Sequence, residues 1–208
     1  MEANMTRTTM MTTGRMPNTS GTRIHSHHKL DARTRELLRE HYPETIAGYR
    51  KWMDRLLIDR VTGLPNYEAF LLEYKTTFAR AEDSGLILLD IQKFKRFNDR
   101  RGGHERGNQV LREFATCLRT SVKRDDFVAR WSVGDEILIA AANLPDQMAL
   151  QALVQRLKGP FPVHSGRRRI HVTCHTAGLR VRDQAFFELE RRLHERLRQG
   201  KLRSRNVN

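Results

Sequence analysis

Apolar and polar residues change rhythm several times along the chain, and each change marks an element. Residues 1–28 are rich in Thr, Met, Arg, Asn and Gly and keep neither a helical nor a strand period, so they are expected to form a disordered tail. From Leu30 to about Arg60 a helical spacing sets in, carried by Leu37, Leu38, Ile46, Tyr49, Trp52, Met53, Leu56 and Leu57, with Pro43 dividing it into two helices. The pattern leaves two readings of residues 29–58 open, a dimerising helical stalk or a helical cap packed on the domain's own core. Gly63, Pro65 and Asn66 then mark a turn before a helix-like run from Tyr67 to Arg80.

The run Gly85-Leu86-Ile87-Leu88-Leu89-Asp90-Ile91 predicts a buried strand. Residues 105–122 predict a helix that turns Val110, Leu111, Phe114, Ala115 and Leu118 to one face. Two strands are expected at Phe127–Val133 and Glu136–Ala142, joined through Gly134-Asp135, a dipeptide suited to a tight hairpin turn. A helix around Asp146 to Lys158, a strand within 168–181 and a charged amphipathic helix from Gln184 to Gly200 complete the pattern.

Composition narrows the picture. At 208 residues the chain suits one domain of ordinary size plus extra segments. No stretch approaches the roughly 20 apolar residues that span a bilayer, and the first residues lack the apolar core of a secretory signal, so a cytoplasmic protein is expected. Cys117 and Cys174 lie far apart without the thiol and imidazole spacing of a zinc site, and both are read as reduced and buried. The net charge of +14 favours anionic partners: nucleotides, nucleic acid or acidic lipid surfaces. Charge alone does not choose among them.

Two positions invite chemistry. An ionisable Asp90 at the end of an apolar strand is costly unless it is paired, solvated or bound to metal, and ligands of sheet proteins gather at strand ends. The hairpin turn adds two acids, Asp135 and Glu136.

Ordered blocks surround these positions. They are Asp59-x-x-Thr62-Gly63-Leu64-Pro65-Asn66, then Leu89-Asp90-Ile91-Gln92-Lys93-Phe94-Lys95-Arg96-Phe97-Asn98-Asp99, then Arg130-Trp131-Ser132-Val133-Gly134-Asp135-Glu136-Ile137, and last Lys201-Leu202-Arg203-Ser204-Arg205-Asn206-Val207. Together, over residues 59–208, they resemble the GGDEF family of diguanylate cyclases. The resemblance implies an α/β (α+β) fold with a nucleotide-cyclase or polymerase-palm-like, mainly antiparallel sheet flanked by helices, preceded by the helical N-terminal segment. It also implies condensation of two GTP into cyclic di-GMP with release of pyrophosphate, by a homodimer that presents one GTP per protomer. A magnesium or manganese ion would sit on the carboxylates of Asp90 and Asp135 and the carbonyl of Ile91, hard oxygen donors that suit such ions. Lys95, Lys201 and Arg205 would meet phosphates, Phe94, Asn98 and Asn108 would border the guanine, and Glu136 would assist catalysis beside Asp135 and Lys95. The opening block is given a structural role.

The chain departs from the family pattern in four places. Ser132-Val133 stand where a single glycine is usual, and an extra residue lies within Asn98 to His104. Asn108 replaces the usual Asp, offering one acceptor and one donor pair in place of two acceptors, which leaves guanine against adenine open. Lys123 begins the block Lys123-Arg124-Asp125-Asp126 where the product-inhibition motif has Arg, so feedback binding is expected to be weak or absent. The two insertions and Val133 motivate an alternative, a catalytically degenerate domain that binds GTP or a cyclic dinucleotide as a regulatory module. A less favoured reading is nucleic-acid binding through the basic tail and the run Arg191, Arg192, Arg196, Arg198, Lys201, Arg203 and Arg205.

Overall fold

The structure, a computed structural model, describes residues 56–99, 103–131, 134–181 and 185–205. The expected tail and nearly all of the helical segment 29–58 lie outside the described residues. Its last positions, Leu56 and Leu57, are helical, and Leu57 is buried.

In chain order the elements are α1 (Tyr67–Glu73), a π-helical turn (Tyr74–Phe78), β1 (Gly85–Ile91), α2 (Lys95–Asn98), α3 (Gly103–Thr120), β2 (Phe127–Arg130), β3 (Glu136–Ala141), α4 (Gln147–Arg156), β4 (Phe161–Ser165), β5 (Arg168–Val172), β6 (Cys174–Arg180) and α5 (Phe186–Arg205). The main sheet has the order β2-β3-β1-β6 with every neighbouring pair antiparallel, and β4 and β5 form a separate two-stranded sheet.

Both faces of the main sheet are covered, which is why β1 reads as an unbroken apolar run although its neighbours are antiparallel. Ile87, Leu89 and Ile91 point to one face, where Val110, Leu111, Phe114, Ala115 and Leu118 of α3, Leu150 and Leu153 of α4, and Phe161 and Val163 of β4 close the core. Leu86 and Leu88 point to the other, against Phe70 of α1, Tyr74 and Phe78 of the π-turn, and Leu189, Leu193 and Leu197 of α5. That last series repeats every fourth residue and so makes one stripe along the helix.

Several expectations are corrected. The helix from Tyr67 gives way to the π-turn, where the Thr76 hydroxyl donates to the carbonyls of Leu72 and Glu73 at 3.0 and 3.1 Å and the Ala79 amide reaches back to the Tyr74 carbonyl. Such side-chain competition for helix carbonyls widens a turn. The single strand expected within 168–181 is two, because β5 pairs with β4 on one side of Thr173 while β6 pairs with β1 on the other. The first hairpin strand ends at Arg130, and the turn is wider than two residues: the Trp131 amide donates to the Glu136 carbonyl at 3.0 Å to close it. Both thiols are free, but Cys117 is only half-buried, its Sγ donating to the Pro162 carbonyl at 3.0 Å.

Gly178 of β6 lets α4 settle on the sheet, since a Cβ there would fall 2.5 Å from Val154 Cγ2 and 3.4 Å from Leu150 Cδ1. Gly178→Ala is therefore expected to push α4 off β6 and cost about 1–3 kcal/mol, read as a lowered melting temperature. An unchanged melting temperature would show that α4 can shift freely.

Candidate active site

The register of the main sheet decides what meets at its end. In β1 Asp90 continues the row Leu86 and Leu88, and it pairs across with Glu136 of β3 and His175 of β6. Directly opposed residues of antiparallel strands share a face, so Asp90 and Glu136 emerge on the side covered by α5. Lys201 is the next position in the stripe Leu189, Leu193, Leu197, one turn beyond the core. Its Nζ donates to Asp90 Oδ2 at 2.6 Å, across 111 residues of sequence, with the two side chains 32% and 14% exposed.

Asp135 precedes Glu136 in the turn after Gly134, which takes a φ of 98° that a side chain would resist. Burial, and then the charge of Asp90, push the Asp135 carboxyl up to about 6 although Lys201 opposes the shift. Glu136 is raised in the same direction, first by burial, with His194 pulling it back and Asp90 adding to it. Cys174, buried beneath, is raised by burial and by the charges of Asp90 and Asp135. These shifts describe a partly desolvated place with more negative charge than one ammonium offsets.

The turn that carries Asp135 is held from behind. Arg130 Nη1 donates to both carboxylate oxygens of Asp59 at 2.9 and 3.1 Å, and its Nη2 donates to the Gly134 carbonyl at 2.7 Å. Asp59 Oδ1 also accepts from the Thr62 amide at 2.8 Å and the Thr62 hydroxyl at 2.7 Å. Burial pushes the Asp59 carboxyl up, but these bonds from Thr62 and Arg130 outweigh it and hold the pKa below its ordinary value. The pair is sheltered, Arg130 being 10% and Asp59 19% exposed. Trp131 packs edge-on to Tyr67 at 4.5 Å and to His194 at 5.5 Å, which fixes the other side of the turn.

The residues expected around a base gather elsewhere on the same strand end. Phe94 and Asn98 lie half-buried on and before α2, and α2 rests on the first turns of α3. Gly107 makes that approach possible: a Cβ there would lie 2.0 Å from Asn98 Oδ1 and 3.2 Å from Phe94 Cζ. Asn108 follows directly, half-buried. Lys95 is exposed on α2, and the Ile91 carbonyl accepts from the Phe94 amide at 3.3 Å. Arg205 ends α5, and its side chain is outside the described residues, as are Ser132 and Val133. Sequence reading missed the Asp59–Arg130 pair, the role of Gly107 and the grip of Lys201 on Asp90. For the first, two quoted blocks each held one partner.

Among the described residues no group of three or more His, Cys, Asp or Glu side chains converges on one point. A cage built wholly of protein ligands is therefore not what these residues offer. The carboxylates of Asp90 and Asp135, close enough for the charge of one to raise the other, are hard oxygen donors of the kind that suit a magnesium-like ion, which keeps waters and takes the rest of its oxygens from substrate phosphates.

Residues 56–207 match the family described as diguanylate cyclase, GGDEF domain. The chain belongs to the GGDEF family. It is similar to the cyclic di-GMP phosphodiesterase PdeR of Escherichia coli, 32% identical over 137 residues that make up 62% of this chain and 20% of that protein. It is also similar to the diguanylate cyclase DgcP of Pseudomonas aeruginosa, 35% identical over 134 residues, 60% of this chain and 19% of DgcP. The chain thus spans only about a fifth of either relative's length. Among solved structures, the coiled coil and GGDEF domain of DgcB from Caulobacter crescentus, in complex with c-di-GMP, superposes with a TM-score of 0.64 at 22% identity, covering 82% of this chain and 93% of that one. The diguanylate cyclase SiaD of Pseudomonas aeruginosa, in complex with its activator SiaC, gives 0.58 at 24%, covering 81% and 71%. Both share the GGDEF fold, an antiparallel sheet flanked by helices. Among the described residues no helix is long and apolar enough to cross a membrane.

Because Asp135 binds its proton more tightly in the folded GGDEF domain than in the unfolded chain, it contributes stability at low pH that is lost as pH rises through about 6. In chelator-treated protein Asp135→Asn is expected to melt a few degrees above the wild type near neutral pH and level with it near pH 4. Equal melting temperatures at both ends of this range would contradict the opposed charges inferred for the site.

Proposed function

We propose that this chain is a metal-dependent diguanylate cyclase, acting as a homodimer in the cytoplasm, each protomer presenting one GTP to the other. The observation that carries this reading is the pair Asp90 and Asp135, two partly buried carboxylates whose charges oppose each other. With the Lys201 ammonium offsetting only part of their charge, the pair favours a further cation. When bound there, a magnesium or manganese ion would lower the pKa of the attacking 3′-hydroxyl and stabilise the leaving pyrophosphate.

The chain's own residues do the rest. Asp90, Asp135 and the Ile91 carbonyl hold the ion, and the Arg130 bond to Gly134 keeps the turn from drifting away from it. Lys95, Lys201 and Arg205 bind phosphate oxygens, each as a positive group in a site with acceptor-only ligands. Phe94 and Asn98 border the base, with Asn108 presenting its amide to the guanine edge. Glu136 stands beside Asp135 on the same face as Asp90 and assists the catalytic group formed by Asp135 and Lys95.

Ser132 and Val133, in place of one glycine beside the α-phosphate, favour a second reading in which the domain binds GTP or a cyclic dinucleotide as a regulatory module without turnover.

Purified protein given GTP with magnesium or manganese is expected to form cyclic di-GMP, detected by chromatography. Asp90→Ala or Asp135→Ala should reduce the rate by roughly a hundredfold or more. Calorimetric binding of GTP with no product at high enzyme concentration would sink the cyclase reading and select the regulatory module. Asn108→Asp restores two acceptors, and it is expected to raise the preference for GTP over ATP in direct binding by about tenfold. An unchanged ratio would take Asn108 out of base recognition.

A further inference from the structure

The basic residues of this chain are not equally committed. On α5 Arg191 donates to Glu188 at 2.8 and 3.1 Å, Arg198 donates to Glu195 at 2.7 Å, and Arg196 donates to the Gly178 carbonyl at 2.9 Å. The run that looked from sequence like a surface for nucleic acid is thus largely tied to its own helix and to β6. The hairpin of β4 and β5 differs. Arg167, Arg168 and Arg169 follow one another at its tip, all exposed, and among the described residues none of the three stands in an ion pair.

The tip is also held in place. Gly166 turns the chain with a φ of 65°, and its amide donates to Gln109 Oε1 at 3.1 Å. Arg106 of α3 donates through Nε to the Ser165 hydroxyl at 2.7 Å and through Nη2 to the Ser165 carbonyl at 3.3 Å, and Ser165 is only 3% exposed. Between α3 and the hairpin lies an open cleft of about 420 Å³, with Arg106 on one wall and Arg167 and Arg168 on the other. Among the described residues its one acid, Glu105, is drawn away to Arg112 at 2.6 Å. What remains among the described residues is a lining dominated by N–H donors, with no aromatic ring on which a base would stack. Arg169 and His171 carry positive or ionisable groups onto the outer face of the ribbon, two residues apart and so about 6.6–6.8 Å along the strand. On that face His164, opposite Arg169, is engaged by Glu113 at 3.1 Å, so the arginines at the tip carry the charge that a phosphate chain would meet.

We propose that the β4–β5 hairpin, its tip held by the Arg106 bonds to Ser165, binds the phosphodiester backbone of duplex nucleic acid. A two-stranded ribbon is one of the elements that a duplex major groove admits, and arginine is suited to phosphate by its fork of donors. Contacts of this kind position a protein on a duplex without reading sequence. None of these residues is among those assigned to GTP, so this surface is a second function and does not rest on cyclase activity.

The test is fluorescence anisotropy of a mixed-sequence DNA duplex with the full chain over a series of salt concentrations. The triple variant Arg167→Ser, Arg168→Ser, Arg169→Ser should lower the slope of log affinity against log salt by roughly 3, about 0.9 for each lost phosphate contact. The control Arg191→Ser, Arg198→Ser on α5 should leave that slope near the wild-type value. The triple variant's melting temperature and GTP binding should match the wild type, which separates lost contacts from lost folding. The proposal is overturned by a wild-type chain that ignores the duplex at low salt, by a triple variant with an unchanged slope, or by polyglutamate displacing the duplex at equal charge concentration.

Discussion

Asp90 leaves the core at the end of β1 with little of its carboxylate in water, and a charge so placed needs a fixed partner. Lys201 provides one, and the requirement reaches far into the architecture. For the ammonium to arrive, α5 must lie along the sheet with Leu189, Leu193 and Leu197 beneath it, and β1 must run between β3 and β6 so that its end faces that helix. The same geometry leaves Asp135 short of compensation, because one ammonium serves two acids and a third, Glu136, stands alongside. The apolar packing and the unbalanced charge are therefore two results of a single arrangement.

A second constraint acts on the turn. Asp135 would be of little use on a loop free to wander, and the loop is longer than a two-residue hairpin. Arg130 restrains it by spending one side of its guanidinium on Asp59 and the other on the Gly134 carbonyl. The opening block, whose Gly63 and Pro65 read as a turn, thus serves the acidic turn directly. Its position is stiffened by the Thr62 bonds and by the buried Leu57 and Leu64.

The elements carried by long regular patterns were legible in sequence. β1, α3 and α5 each bury a row or stripe of apolar side chains, and periodicity reports such rows directly. Asp90 stood out as an acid that ends an apolar strand, and Asp135 as an acid in the turn between two such strands. Less was visible where the decisive contact is between distant residues or depends on a missing side chain. The Asp59–Arg130 pair joins residues 71 apart, and nothing in the local pattern of either announces it. Gly107 reads as a weak point in a helix until Asn98 and Phe94 are found lying on it. β4 was missed and β5 was joined to β6, because these short strands pair with each other and not with the main sheet. The two readings of residues 29–58 concern positions outside the described residues and stay as expectations.

The separation of 111 positions between Asp90 and Lys201 also sets an order of events in folding. β1 is made early, yet both of its sheet partners and the helix that neutralises its end are made later, so its pairings are non-local and slow to close. Until α5 docks, the acids at the strand end repel one another without the Lys201 ammonium. α5, made after β1, is then the helix that completes the electrostatics at the end of that strand, and the charge pair and the cooperative fold come into being together.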